Sequence, residues 1–433
     1  MTQTFDFIVV GAGMVGAAIA NGLAARGHHI ALIDQGTAPQ FSAQDDPDIR
    51  VSALSAGSER YLRELGAWGD ILAMAATPYR RLAVWEAPEH PVAQLLPARP
   101  PRTTFSASDL KTPHLGHIVE NRVTQKALWD LASRQPTVTL YSGAGIQSQA
   151  DTGDQITATL ENGQTVTGRL LIGADGAGSR VRQLAGIGVS RDQYQQQALV
   201  ASVRYQGTPA DITWQAFHSS GPRAFLPLHS AGQAHAGESW ASLVWYDDPA
   251  VLRELKALSE QDFMARVRAG FPEELPDLTA VAARASFPIA RQHAHHYFQG
   301  RVVLVGDAAH TINPLAGQGV NLGFQDARCL QLLLDDARRQ GLDPAEPQLL
   351  AQYEAQRRPA NRRMMLTMDA FYHLFSNHRT PLWALRNLGL GLAQGLPFAR
   401  NQVARYAMGI DESLPVPVQA LLRRLPSRWR EAG

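Results

Sequence analysis

The run Gly11-Ala12-Gly13-Met14-Val15-Gly16 spaces its glycines as a phosphate-binding turn does. In such a turn the first glycine permits a tight bend and the second lets the backbone approach a pyrophosphate. The third lets the following helix pack on its strand. That helix then offers unpaired N–H groups and a partial positive charge to phosphate oxygens. Asp34, 18 residues beyond Gly16, falls near the ~20-residue offset of an acid that binds ribose hydroxyls. Taken alone, the glycines equally suit an Ala/Gly helix packed closely with no ligand, and Asp34 a surface acid. Two more glycine–acid turns follow, at Gly173-Ala174-Asp175-Gly176 and at Gly306-Asp307. An acid placed just after a buried strand can accept hydrogen bonds from a polyol chain, or can simply cap a helix. Beyond Pro314, Gly317 and Gly319 open a helix whose N-terminus favours negative charge by about 0.3–2 kcal/mol. Arg50 and Arg122 are candidates for phosphate, because a guanidinium matches its oxygens geometrically. The ordinary alternative for each is a solvated surface arginine.

These residues need particular elements to hold them. Phe5 to Val10 has the pattern of a buried parallel strand, Met14 to Ala25 of an Ala-rich helix stopped by Gly27, and His29 to Ile33 of a second strand. Together they make a βαβ unit. Val51 to Leu65 is expected to be helical up to Gly66, Tyr79 to Trp85 a strand, and Arg122 to Ala132 a helix. Strands are expected at 137–141, 155–160, 165–169 and 170–172, with Asn162-Gly163 as a hairpin turn. From Tyr194 to Phe287 the texture shifts to aromatic, alternating strands, the mark of a mainly antiparallel sheet. Arg301 to Val305 restores the buried-parallel pattern before a helix that ends near Asp336.

The fold class expected is α/β: a Rossmann-like nucleotide domain with an inserted antiparallel substrate domain and a helical C-terminal tail. The nucleotide domain would comprise residues 1–75, 105–185 and 287–365, the inserted domain 76–104 and 186–286, and the tail 366–433. A chain of 433 residues is too long for one core, so more than one domain is required. The net charge of +1 gives no whole-surface attraction to nucleic acid. Cys329 is the single cysteine, which excludes an internal disulfide and any CxxC pair. His293, His295 and His296 come nearest to a metal set. A strand would point adjacent histidines oppositely, so a solvated turn is expected there and no metal. The uncharged stretch from Phe7 to Ala25 lacks the basic lead of a secretory signal.

Considered jointly, the three turns resemble the fingerprints of the p-hydroxybenzoate hydroxylase-like flavoprotein monooxygenases. The resemblance implies FAD, with Asp307 on the ribityl chain, Asp175 and Gly176 near both FAD and a nicotinamide cofactor, Arg50 near the flavin and pyrophosphate, and Arg122 on the pyrophosphate. Pro314, Gly317, Gly319, Val320 and Asn321 would lie by the flavin ring. NADH or NADPH would visit as the reductant and O2 as the oxidant, so no triad or metal is needed and no catalytic base is assigned. Segments such as His117-Ile118-Val119-Glu120-Asn121 and Gly221-Pro222-Arg223-Ala224-Phe225-Leu226-Pro227-Leu228 are similar to those of the ubiquinone-biosynthesis hydroxylases. That likeness implies a polyprenyl methyl-methoxy-benzoquinol substrate, a demethoxyubiquinol, met by a wall containing Arg223, Phe225, Pro227 and Trp245. Ordinary sheet packing is the competing account of each wall residue.

Two readings of function stay open beside this one: a sister hydroxylase acting at another ring position, and a non-catalytic flavin- or quinone-binding subunit. From Arg379 onward the tail is basic, with Leu382, Leu385, Leu388, Leu392 and Leu396 at helical spacing. It suits peripheral contact with an anionic membrane or a biosynthetic complex, or packing on its own domain. The expected location is cytoplasmic, at or near the inner face of the membrane.

Overall fold

The computed structural model describes residues 4–87, 102–229, 237–313 and 319–375, together with residues 402 and 405. Three sheets organise them. The first has the strand order 298–299, Val302–Leu304, Thr165–Gly173, Thr4–Val10, Ile30–Asp34 and Val138–Ser142. Along this path all pairings are parallel except that of the 298–299 edge, and strands Ile146–Asp151 and Ile156–Leu160 join antiparallel beside it. Ile8, Val9, Leu32 and Ile33 are completely buried, as near-continuous apolar strands covered on both faces must be. The expected strands at 165–169 and 170–172 form one strand, Thr165–Gly173. Its first half pairs with Ile156–Leu160 across the Asn162-Gly163 turn, and its second half joins the parallel core.

Helix Met14–Ala24 packs against helices Asn121–Arg134 and Gly319–Arg339. The approach is close because the contact face is small. Gly22 stands where a Cβ would come within 2.2 Å of Gln331 Oε1. Asn21 Nδ2, buried in the same seam, donates to the Leu128 carbonyl at 2.8 Å.

The second sheet is the aromatic one, ordered His310–Thr311, Leu278–Ala294, Val189–Gln206, Glu238–Asp247, Gly221–Leu228, Ile212–His218, Arg81–Glu86 and Thr103–Ser106. It is antiparallel apart from one parallel pairing between residues 212–217 and 81–86. Helices Pro249–Ala257 and Glu260–Gly270, absent from the sequence-based expectation, cover one of its faces.

The third sheet corrects two expectations. Val51–Ser55 is a strand rather than the start of a helix, paired with Gly116–Glu120. The helix begins at Ala56, where Ser55 caps it by accepting from the Ser58 N–H. Propensity reads the Ser/Ala run as helical because it cannot see the partner strand. The expected strand 79–85 is two strands broken at Arg80: Thr77–Tyr79 joins the third sheet and Arg81–Glu86 the second.

The C-terminal helix Pro347–Phe375 contains Pro359. The leucine-spaced tail, like the proline-rich stretch Pro97 to Pro101, falls outside the described residues. No helix among the described residues is long and apolar enough to cross a membrane.

Candidate flavin site

The glycine turn has the geometry its spacing demands. Gly11 adopts φ +99°, and a Cβ there would lie 2.4 Å from the Ala174 carbonyl oxygen. A Cβ on Gly16 would lie 1.8 Å from the carbonyl oxygen of Gly11. Gly13 differs, since a Cβ there meets nothing within 4 Å. It opens helix 14–24, which carries no side-chain cap and no acid in its first turn. Open space in front of uncapped helical N–H groups is what a pyrophosphate requires.

Asp34 is partly buried and already engaged. Oδ2 accepts the Ala12 N–H at 2.5 Å and Oδ1 the Gly36 N–H at 2.7 Å. The carboxylate thereby ties the glycine turn to the end of the second strand. With about four acceptor positions on a carboxylate, capacity remains for ribose hydroxyls. Sequence reasoning missed Gln125, whose side chain donates to the Ala12 carbonyl at 3.2 Å and props the turn from helix 121–134.

The two arginines stand differently. Arg50 is exposed, lies 5.8 Å from the centre of the Phe287 ring and has no carboxylate partner among the described residues. Arg122 is occupied: Nε donates to Glu120 Oε2 at 2.8 Å, one Nη donates to the Asp46 carbonyl, and Asp45 lies 3.5 Å away. Burial raises the Glu120 carboxyl, while the Asp48 N–H and Arg122 oppose the rise.

At the middle turn, Asp175 accepts from Ser179 Oγ at 2.6 Å and from the N–H groups of Arg180 and Val181. Ser179 caps the short helix 180–184 while Asp175 holds the N–H groups of its first two residues, and Gly176 adopts φ +80° beside them. Buried Arg182 donates to the carbonyls of Ala308 and Ala177. Gln292 donates to those of Ala177 and Asp307. The second and third turns are therefore one hydrogen-bonded unit.

Gly306, at φ +59°, rests on the Val15 side chain. The Asp307 side chain is exposed and makes no hydrogen bond or ion pair among the described residues. It nonetheless lies in a densely built region, where desolvation raises its carboxyl. A carboxylate just past a buried strand, without a partner among the described residues, fits a polyol ligand.

Beneath it lies a network that the sequence did not disclose. Asp326 and His310 are fully buried. One Asp326 oxygen accepts from the Gly306 N–H at 3.2 Å and meets His310 Nε2 at 2.5 Å. The other accepts from Arg357 at 2.7 Å and Asn361 at 2.9 Å. Burial alone would push Asp326 up, but His310, Arg357 and these hydrogen bonds hold it well below the usual carboxylate range. His293 corrects another expectation. It is buried and bonded to Tyr297 Oη at 3.0 Å, and burial lowers its pKa to about 3, so it is neutral. His295 and His296 do occupy an exposed turn.

Helix 319–339 opens at Gly319, with Val320 half-buried behind it. Asn321 is fully buried and clamps this helix to the segment 53–58. Its Oδ1 accepts from the Ser55 N–H at 3.0 Å and from Ser58 Oγ at 2.7 Å, and its Nδ2 donates to the Ala53 carbonyl. Pro314 and Gly317 lie outside the described residues.

The expected substrate wall needs correction. Phe225 stacks on Trp214 at 5.6 Å, and Trp245 packs edge-on to Phe271, in the core beneath helices 249–270. Arg223 lies over the Trp245 ring at 4.4 Å and donates to the Gly270 carbonyl. Strand alternation puts Pro227 on the same face. The other face carries Leu82, Val84, Ala224, Leu226 and Val244, all only partly buried. Val84 and Val244 pack against a cluster containing Phe217, Tyr246, Ile312 and Leu322, and Leu82 and Leu226 against one containing Tyr79, Ile118, Leu228 and Trp240. Ile312 and Leu322 follow the Gly306-Asp307 turn on its C-terminal side, so this is the face turned toward that segment. Phe225→Ala is accordingly expected to cost about 3–5 kcal/mol of folding stability, as loss of a buried aromatic does. Denaturant unfolding checks this; a loss below about 1 kcal/mol would return Phe225 to the wall.

Comparison with known proteins agrees with this geometry. Residues 4–367 match the FAD binding domain family. The chain is 42% identical over 408 residues to the 3-demethoxyubiquinol 3-hydroxylase of Escherichia coli (strain K12), covering 94% of this chain and 99% of that one. It is 34% identical over 421 residues to ubiquinone hydroxylase UbiL of Rhodospirillum rubrum, covering 97% and 93%. Among solved structures, PqsL of P. aeruginosa superimposes with a TM-score of 0.72 at 21% identity, over 90% of this chain and all of that one, a likeness of fold. The chain belongs to the FAD binding domain family, in the group that holds the ubiquinone-biosynthesis hydroxylases.

Proposed function

We propose that this protein is an FAD-dependent, O2-using monooxygenase that hydroxylates the ring of a polyprenyl methyl-methoxy-benzoquinol, a demethoxyubiquinol, with NADH or NADPH as the reductant. One observation carries the reading. The sheet face turned toward the segment after Gly306-Asp307 keeps Leu82, Val84, Ala224, Leu226 and Val244 partly exposed, an apolar surface suited to a substituted quinol. The full-length likeness to a 3-demethoxyubiquinol 3-hydroxylase supports the ring position.

The residues fit the cofactor, which when bound supplies the oxidation–reduction chemistry. Gly13 and the helix behind it receive the pyrophosphate, with Gly11 and Gly16 shaping the turn. Asp34 accepts from the ribose and Asp307 from the ribityl hydroxyls. Arg50, exposed and without a carboxylate partner among the described residues, takes the phosphate, whereas Arg122 serves through Glu120 unless it is released. Asp175 and Gly176 hold the middle loop against the Asp307 turn. The apolar face orients the quinol and excludes water. The basic tail provides peripheral contact with the membrane that holds the polyprenyl substrate, or with partners there.

Asp307→Ala is expected to weaken FAD binding about 10–100-fold, the worth of charge-assisted hydrogen bonds. Flavin content and fluorescence titration measure it, and full retention of FAD would show the turn misread. The function is tested by quinol-stimulated NAD(P)H oxidation with incorporation of labelled dioxygen. Lipid-extract mass spectrometry of a strain lacking the protein tests the ring position. Accumulated demethoxy-quinone supports the reading, and a ring lacking a different hydroxyl transfers it to a sister reaction. Flavin binding without any turnover would favour a non-catalytic subunit.

A further inference from the structure

We propose that Glu59, His114 and His117 bind a divalent transition-metal ion of the zinc class, joining helix 56–65 to strand 116–120 through residues given no part in holding the flavin or the quinol. One carboxylate oxygen and one nitrogen from each ring lie within 4.8 Å of one another. His114 Nε2 is 2.7 Å from Glu59 Oε2, and His117 Nδ1 is 3.3 Å from the same oxygen. Zinc takes nitrogen and oxygen ligands at about 2.0–2.2 Å in a tetrahedron, which sets neighbouring donor atoms roughly 3.3 Å apart. His117 and Glu59 already stand at that separation. His114 has only to draw back by about 0.6 Å to reach it.

Two further observations point to a ligand. His117 is 5% exposed, and its Nδ1 is buried, directed at the carboxylate and without a hydrogen bond. Orphaned buried polar atoms are costly, by about 1–3 kcal/mol, and a cation between the three groups removes the cost. The two Glu59 oxygens are also divided in use. Oε1 is held by Arg63 at 2.6 Å, while Oε2 faces both histidines. Arg63 is mostly exposed, so solvent screens its charge, and it orients the carboxylate as an outer partner orients a metal ligand. His114 is partly exposed and supplies the entry route, leaving a fourth position for water. Imidazole with carboxylate suits zinc and its first-row neighbours.

The test uses flavin-loaded protein freed of metal with a chelator, then titrated with Co2+ and Zn2+. One ion per chain is expected, with the visible bands of four-coordinate cobalt that zinc then displaces, and a rise in Tm with zinc. His114→Ala should bind zinc at least about 100-fold more weakly, the upper range for loss of even an outer partner, with flavin content unchanged. His117→Gln should do the same. Absence of cobalt bands in the wild-type protein, or unchanged zinc affinity in His114→Ala, overturns the site and leaves a His114–Glu59 hydrogen bond with His117 beside it. Should His117→Gln fail to fold, the wild-type cobalt spectrum and His114→Ala decide the matter between them.

Discussion

Gly16→Ala is expected to yield flavin-free protein destabilised by more than about 3 kcal/mol, beyond the usual range for overpacking. The reason is the neighbour. A Cβ at Gly16 would sit 1.8 Å from the Gly11 carbonyl oxygen and 2.9 Å from the Ala174 Cβ. Neither is the flexible end of a side chain, so the helix and the first strand must part. Gly13→Ala supplies the contrast. Its Cβ meets no protein atom within 4 Å, so stability should hold within about 0.5 kcal/mol, as for a substitution that touches nothing. Flavin affinity should nevertheless fall, because the methyl group takes the space through which a pyrophosphate approaches. Denaturant unfolding and flavin titration of both variants check the pair. A Gly13→Ala protein with native flavin affinity would remove the pyrophosphate from this turn.

Asp326→Asn is expected to cost about 3–5 kcal/mol, the penalty for stranding one member of a buried ion pair. Arg357 and His310 would lose their shared anion, and one amide oxygen would have to serve the donors, the Gly306 N–H among them, that two carboxylate oxygens hold. Because Gly306 precedes Asp307, flavin affinity should fall together with stability. Replacing Asp326 and Arg357 together by neutral side chains should recover most of the folding loss, since no charge is then left unpaired. It should not recover flavin affinity, because the Gly306 turn still lacks its carboxylate anchor. Urea unfolding and flavin titration separate the two effects. A single-variant loss under about 1 kcal/mol would place the pair among ordinary surface bridges. The carboxylate's pKa lies below its unfolded value, so its contribution is fully present above about pH 4. That contribution disappears only as pH falls through the lower folded value.

Local chemistry was legible in the chain, and long-range chemistry was not. The turns at Gly11 and Gly306 were readable because a glycine's freedom and an acid's offset are properties of neighbouring residues. Which face of the aromatic sheet turns toward the Gly306 turn was not readable. Alternation separates Phe225 from Leu226, yet it does not say which side helices 249–270 will cover. Those helices were missed because their apolar residues lie among strongly alternating strands. Asn321, expected by resemblance beside a ring, also holds Ser55 and Ser58, a pairing visible only once strand 51–55 exists. Asp326 sits inside an amphipathic helix pattern, where an acid reads as solvated. Glu59 and the two histidines come from segments far apart in sequence, so no spacing rule brings them together.

The strand Val302–Leu304 lies beside Thr165–Gly173 in the parallel sheet, and helix 319–339 packs on helix 14–24. A ribosome therefore releases the first nucleotide-binding segments long before their partners. During that interval the N-terminal strand and helix have no complete fold to join, and the aromatic sheet emerges between them. Contacts of such sequence separation form slowly and leave apolar strand edges open meanwhile. Flavin can be captured only after the late strand arrives, so cofactor supply acts on a nearly finished chain, and chaperone demand should peak before that point.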